Sequence, residues 1–314
     1  MSDTVDEVLP EALAGERLDR VVSMLDGCSR AAASKLISAG EVAIDGAVKT
    51  ARSFRVEAGM RISFRPHEPV VDALPQADAE VPITVVYSDD DVIVVNKAAG
   101  LVVHPGAGRP DATMVNGLLA RFPEIATVGE PQRPGIVHRL DADTTGLLVV
   151  ARCQEAYATL VEALSNRVVG RSYSAIVSAV IADDRGIVDA PIGRSARHRT
   201  RMAIQADGRE ARTRYEVIER FPDRRLTHVQ CDLETGRTHQ IRVHLAAIGH
   251  PLLGDRIYGA RAGSPLIDRV ALHARRLEFS HPTSGERLVF DSELPADFTA
   301  VLESVESKDV PESK

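Results

Sequence analysis

The sequence predicts an α+β protein: a small helix-and-hairpin domain, then a larger, strand-rich domain with a central cleft. Helical spacing is confined to two short stretches near the start and a few isolated segments later, whereas short β-prone runs recur from Ile83 to Leu233. The third observation is a charged loop held between two apolar runs. Gly135-Ile136-Val137 stops at a polar knot from His138 to Thr145, and Leu147-Leu148-Val149-Val150 resumes after Gly146. Such a loop presents side chains from a core scaffold into a cleft. Asp141, just past the first apolar run and preceded by His138, Arg139 and Leu140, is the polar residue best placed for chemistry.

A chain of 314 residues has room for one large domain and one small one. No apolar run approaches the length of a membrane helix, and the acidic start from Met1 to Glu11 lacks the features of a signal peptide. Cys28, Cys153 and Cys231 are far apart with no CxxC pair, which speaks against a disulfide framework or structural zinc and for a reducing cytoplasm. Among the ten histidines no HxxxH or HExxH occurs, so no metal is expected. No phosphate-binding glycine loop is present either, so no cofactor is expected. The net charge of -7 is unevenly spread. Arg194, Arg197, Arg199, Arg201, Arg209, Arg212 and Arg214 are opposed locally only by Asp207 and Glu210, and a segregated basic surface can still bind phosphate.

In chain order, residues 1–13 read as a disordered acidic tail. Leu18, Val21, Val22 and Leu25 recur at helical spacing; Ser29 is placed to cap a second helix carrying Ala32, Leu36 and Ile37. Glu41 to Ile44 alternates as a strand, Asp45-Gly46 signals a hairpin turn, and Met60 to Phe64 supplies another strand. The small domain is bounded at 14–70, a proline-containing linker at 71–80, the large domain at 81–304, and a disordered tail at 305–314.

In the large domain, Ile83 to Tyr87 and Val92 to Val95 read as strands, followed by Asn96-Lys97-Ala98-Ala99-Gly100. Asn116 to Phe122 reads as the end of a helix, and Tyr157, Leu160, Val161 and Leu164 form one helical face suited to core packing. Arg171 to Val177 alternates as a strand with Arg171, Tyr173 and Ala175 on one side. The arginine-rich stretch from Arg194 reads as an irregular loop, and Leu226 to Leu233 as a strand. In Gly236-Arg237-Thr238-His239-Gln240-Ile241-Arg242, Ile241, Leu245 and Ile248 share one helical face while His239 and Arg242 share another. Residues 296–304 close the chain with a helix.

His138-Arg139-Leu140-Asp141 with Asp143-Thr144-Thr145-Gly146, together with Gly236 to Arg242, resembles the RluA/RluD-type family of ribosomal RNA pseudouridine synthases. Residues 15–70 resemble the small RNA-binding domain named after ribosomal small-subunit protein S-four, through Gly15-Glu16-Arg17-Leu18-Asp19, Ser29-Arg30 and Gly40 to Gly46. The pairing points to the RluD-like branch. The resemblance implies a mixed, mainly antiparallel catalytic sheet with a central cleft, and no cofactor. It implies Asp141 as the catalytic carboxylate, Arg242 as its partner, and Tyr173 against the target base. It also implies RNA or substrate contacts from His138, Arg139, Ile241, Lys97, Arg30 and Lys35. The family carries a proline where this chain has Ala98, a change that softens the turn without removing a reactive group. The implied partner is large-subunit ribosomal RNA or a ribosome assembly intermediate, met by a monomer with no membrane and no metal.

Asp141 and Asp143 also allow a glycosidase-like carboxyl pair. Arg139 and Arg242 argue instead for one ionised carboxylate, because a nearby guanidinium favours the charged form. Isomerisation of uridine would suit that carboxylate, acting as nucleophile or base on a flipped nucleotide. The rival readings are an RNA-binding, ribosome-associated protein without activity and a nucleoside glycosidase.

Overall fold

The computed structural model describes residues 4–28, 30–66, 74–106, 109–195, 197–198, 201–260 and 263–306. The chain divides into two units, one ending at Leu74 and one beginning at Pro75.

In the amino-terminal unit, β1 (Val5–Val8), α1 (Leu18–Asp26), α2 (Arg30–Ser38), β2 (Val42–Ile44), β3 (Ala47–Val48) and β4 (Arg61–Phe64) form helices against an antiparallel sheet of order β1-β4-β2-β3. Leu18, Val21 and Val22 of α1 and Ile37 of α2 pack on Val42, Ile44, Ile62 and Phe64, so the helical and strand periods meet in one core. The hairpin turn falls at Asp45-Gly46, whose φ of 49° and 77° match the primed turn that joins short antiparallel strands. The acidic start departs from expectation: β1 pairs with β4 from Val5↔Phe64 to Val8↔Arg61, so residues 5–8 are an ordered edge strand. Backbone pairing holds it there, and its charged side chains face outward as edge strands require. The proposed cap, Ser29, lies outside the described residues.

The second unit opens with β5 (Val85–Ser88), β6 (Val92–Lys97), α3 (Met114–Arg121), the short pair β7 (Gly129–Glu130) and β8 (Arg133–Pro134), β9 (Thr145–Ala151) and α4 (Gln154–Ser165). It continues with β10 (Gly170–Ser178), β11 (Arg185–Asp189), β12 (Ile192–Arg194), β13 (Met202–Ile204), β14 (Arg212–Phe221), β15 (Leu226–Leu233), α5 (Gln240–Ala247), β16 (Leu272–Ser280), β17 (Arg287–Asp291) and α6 (Ala296–Glu306). Nine strands form one mixed sheet of order β11-β14-β15-β10-β16-β9-β6-β5, with β17 also on β16. Its pairs are antiparallel except β9 with β16, which meet in parallel at His273↔Thr145 and Ala274↔Gly146. Gly146, at φ 113°, makes that meeting possible, since a Cβ there would collide with the Ala274 backbone. The α+β, mainly antiparallel class is therefore the one observed.

Three local expectations change. Gly135 to Val137 is no strand: Gly135 turns at φ 71°, and only Ile136 bridges to Val150. The arginine-rich loop contains the hairpin β12–β13, paired from Ile192↔Ile204 to Arg194↔Met202. The carboxy-terminal helix runs to Glu306, so Val305, buried against the core, is no part of a tail. Residues 307–314 lie outside the described set. Among the described residues no helix is long and apolar enough to cross a membrane.

Candidate active site

The loop from His138 to Thr144 leaves the sheet just before β9, and α5 follows directly after the turn that ends β15. The sheet thereby brings two segments far apart in sequence to one cleft of about 500 Å³. Six arginines line it (133, 139, 171, 209, 237 and 242) against one acid, Asp141.

Asp141 is partly buried, and its Oδ2 accepts a hydrogen bond from Arg242 Nη1 at 3.0 Å. Arg242 is fixed from the other side. Its Nε donates to Asp255 Oδ2 at 2.7 Å and its Nη2 to Asp255 Oδ1 at 3.0 Å, a bidentate pair. Asp255 Oδ1 also accepts the backbone N–H of Ile257 and Tyr258 at 2.9 and 3.0 Å. Burial alone would lower the Arg242 guanidinium, but its bonds to Asp255 and Asp141 outweigh it and the net shift is upward. Burial likewise works to raise Asp255, and Arg242 reverses it.

His239 caps α5 in the left-handed region at φ 58°. Its Nε2 lies 3.8 Å from Asp141 Oδ1, and its Nδ1 is 2.8 Å from the Tyr258 hydroxyl. That hydroxyl also accepts the Met202 N–H at 2.9 Å, which ties His239 to β13 through Tyr258. Burial lowers the His239 imidazole against the pull of Asp141.

Tyr173 comes from β10, lines the same cleft, is 6% exposed, and has its phenol raised by burial. Ile241, in the first turn of α5, adds an apolar wall 4% exposed. His138 Nε2 accepts the Val149 N–H at 3.1 Å, and burial with the nearby Arg171 pushes the ring down to about 3. Its proton therefore sits on Nδ1. Arg139 is exposed at the rim and donates to His104 Nε2 at 3.3 Å, while His104 Nδ1–H donates to the Pro105 carbonyl at 2.9 Å. Asp143 is exposed and lies outside the cleft lining, so the two-carboxylate arrangement is not the one built.

Lys97 departs from its expected role in binding substrate or RNA. It is 2% exposed, and its Nζ donates to the carbonyls of Ala98, Leu101 and Ala142 at 2.9, 2.8 and 2.7 Å. With all three protons used, it ties the turn at Ala98 to the residue after Asp141. Burial pushes it down to about 8, against the pull of Asp143 and Asp141. The bond to Ala98 O also braces the turn that lacks proline. Arg30 and Lys35 lie on α2 of the amino-terminal unit, where Arg30 Nη2 donates to Asp19 Oδ1 at 3.0 Å. Arg17, then Arg30, hold the Asp19 carboxyl down at about 2.

Sequence reasoning missed Asp255 and Tyr258. The available signal was an acid directly after Gly254, where the apolar pair Leu252-Leu253 gives way to a turn residue. It also assigned Val161 to core packing, whereas Val161 is 40% exposed on α4 and lines the cleft. Ile248, read as sharing a helical face with Ile241 and Leu245, follows the last residue of α5 and is 39% exposed.

Residues 91–247 match the family model described as RNA pseudouridylate synthase, and residues 16–62 match the S4 domain. The chain is 44% identical to ribosomal large subunit pseudouridine synthase D of Nitrosomonas europaea, over 96% of this chain and 88% of that one. It is 40% identical to an uncharacterized RNA pseudouridine synthase, YlyB, of Bacillus subtilis, over 96% of this chain and 98% of that one. Among solved structures, human RNA pseudouridylate synthase domain containing 1 superposes with a TM-score of 0.57 at 25% identity, covering 76% of this chain and all of that one. The family match spans both the loop of Asp141 and the helix of Arg242, and with near-full-length relatives at this identity the chain belongs to the RNA pseudouridylate synthase family, an isomerase carrying an amino-terminal S4 domain.

Proposed function

We propose that this enzyme converts uridines of large-subunit ribosomal RNA to pseudouridine. The observation that carries the chemistry is the 3.0 Å bond between Arg242 and Asp141, made across 101 residues inside a cleft of nucleotide size. Relatives named for the large ribosomal subunit, and the S4 domain, support the choice of RNA. We read the enzyme as a cytoplasmic monomer acting on that RNA or on an assembly intermediate.

In this reading the target uridine leaves its stack and enters the cleft, and Arg139 fills the space it vacates. Arg242 occupies Oδ2 of Asp141 and leaves Oδ1 for the sugar, as nucleophile at carbon-1′ or as base beside it. The bond from carbon-1′ to N1 breaks with its electron pair on the base. The base turns against Tyr173 and Ile241 and carbon-5 bonds to carbon-1′; on the nucleophile route this displaces the Asp141 carboxylate, and on the base route Asp141 returns the proton it took from the sugar. The proton then leaves carbon-5, and N1 ends protonated. Bonds and protons balance without an external donor. Lys97 positions the loop of Asp141 from behind.

The test is to incubate the purified protein with large-subunit RNA and map pseudouridine. Asp141→Asn should lower product formation by about 10³-fold or more while RNA binding stays within a few-fold of wild type. Full turnover by Asp141→Asn, or no pseudouridine from wild type, would reject the reading.

A further inference from the structure

Arg171 is the buried cation of the cleft that this mechanism leaves unused. It lies on β10 two residues before Tyr173, is 8% exposed and lines the cleft. Its Nε–H is enclosed without a hydrogen-bond partner, and no acidic side chain among the described residues pairs with it. An uncompensated buried guanidinium is among the costliest groups a fold can carry, and Arg cannot shed its proton to escape.

The surroundings say what kind of group is missing. A Cβ at Gly236 would stand 2.6 Å from Arg171 Nη1, so the glycine gives the guanidinium its space. Arg209 and Arg237 line the same cleft. Arg237 is lowered by burial and then by positive neighbours that include Arg209 and Arg171. The nearby carboxylate, Glu210, is already taken by Arg167 at 2.6 Å. A guanidinium with no acidic partner among the described residues, in a cleft also lined by Arg209 and Arg237, suits an anion with several acceptor oxygens better than a neutral uracil carbonyl.

We infer that Arg171, with Arg209 and Arg237 at the rim, binds the backbone phosphate of the nucleotide whose base enters the cleft. The inference rests on the uridine-isomerase reading above. Phosphate capture at this point draws the flipped nucleotide in by its backbone, so the base needs no sequence-specific contact here.

The test uses full-length protein and a large-subunit RNA fragment carrying a uridine it modifies. Arg171→Met should raise Kd about 10- to 100-fold and flatten the dependence of log Kd on log salt by about one phosphate's worth. Arg171→Lys should recover part of the salt dependence. A single neutral methylphosphonate, walked along the linkages flanking the target, should weaken wild type at one position and add nothing there in Arg171→Met. The melting temperature of Arg171→Met should equal or exceed that of wild type. Equal losses at every linkage, a fall in kcat with unchanged Kd, or a lower melting temperature would each overturn the assignment. If wild type modifies the fragment and Arg171→Met behaves identically, only the phosphate assignment falls. If wild type makes no pseudouridine there, the function falls and takes this inference with it.

Discussion

Arg242 and Arg171 line one cleft, 6% and 8% exposed, and differ in what the protein gives them. Arg242 has the Asp255 carboxylate bidentate on one side and Asp141 on the other. Among the described residues Arg171 has neither a carboxylate partner nor a hydrogen bond on its Nε. A pre-paired guanidinium is held in one orientation before substrate arrives, which suits a group that must aim a reacting carboxylate. An unpaired one keeps its binding capacity for a ligand, and the free protein carries the strain. The same side chain at the same burial thus serves positioning in one place and capture in the other.

Replacing each arginine by methionine should pull the two apart. Arg242→Met leaves Asp255 buried with no cation and should destabilise the fold by about 3–5 kcal/mol, read from denaturant unfolding, with turnover lost. A stable, active Arg242→Met would erase the contrast. Three histidines, His228 and His273 buried and His138 half-buried, supply a middle case, because imidazole can do what guanidinium cannot and give up its proton. Burial depresses His138 to about 3, and His228 and His273 to about 4 each. The unfolded chain protonates them from about pH 6.5 downward while the folded chain does not, so stability present above that pH is lost as pH falls toward 3–4. Lowering pH from 7 to 5 should remove roughly 1–2 kcal/mol for each of the three, and flat stability over that range would show the rings to be solvated. The smallest effect is Arg171→Met, expected to stabilise the free protein by about 1 kcal/mol because the buried charge is relieved. Its melting temperature would sharpen the comparison by rising where that of Arg242→Met falls.

Much of this was open to reading from residues alone. The strand from Leu226 to Leu233 is found residue for residue, and the Asp45-Gly46 turn has the positive φ pair its composition announces. Motifs around Asp141 and Arg242 pointed to the two partners that meet. Other features left no local trace. The acidic strand Val5–Val8 owes its order to backbone pairing with β4, which composition does not advertise. The hairpin at Ile192–Arg194 and Met202–Ile204 lies in a stretch whose arginines masked any alternation. Lys97, expected to contact substrate or RNA, is instead enclosed by three carbonyl partners, one of them 45 residues away.

By itself the sequence determined the periods of its helices and strands, the turns that glycine permits, and which residue types crowd the stretches around Asp141 and Arg242. These are properties of near neighbours, set by steric and hydrophobic pattern along the backbone. Only the tertiary structure decided which charges are answered: Asp255 for Arg242, carbonyls for Lys97, and no protein group for the Nε of Arg171. The reason is physical, because the energy of a buried charge depends on distance and dielectric in three dimensions, and neither is written in the spacing of residues along a chain.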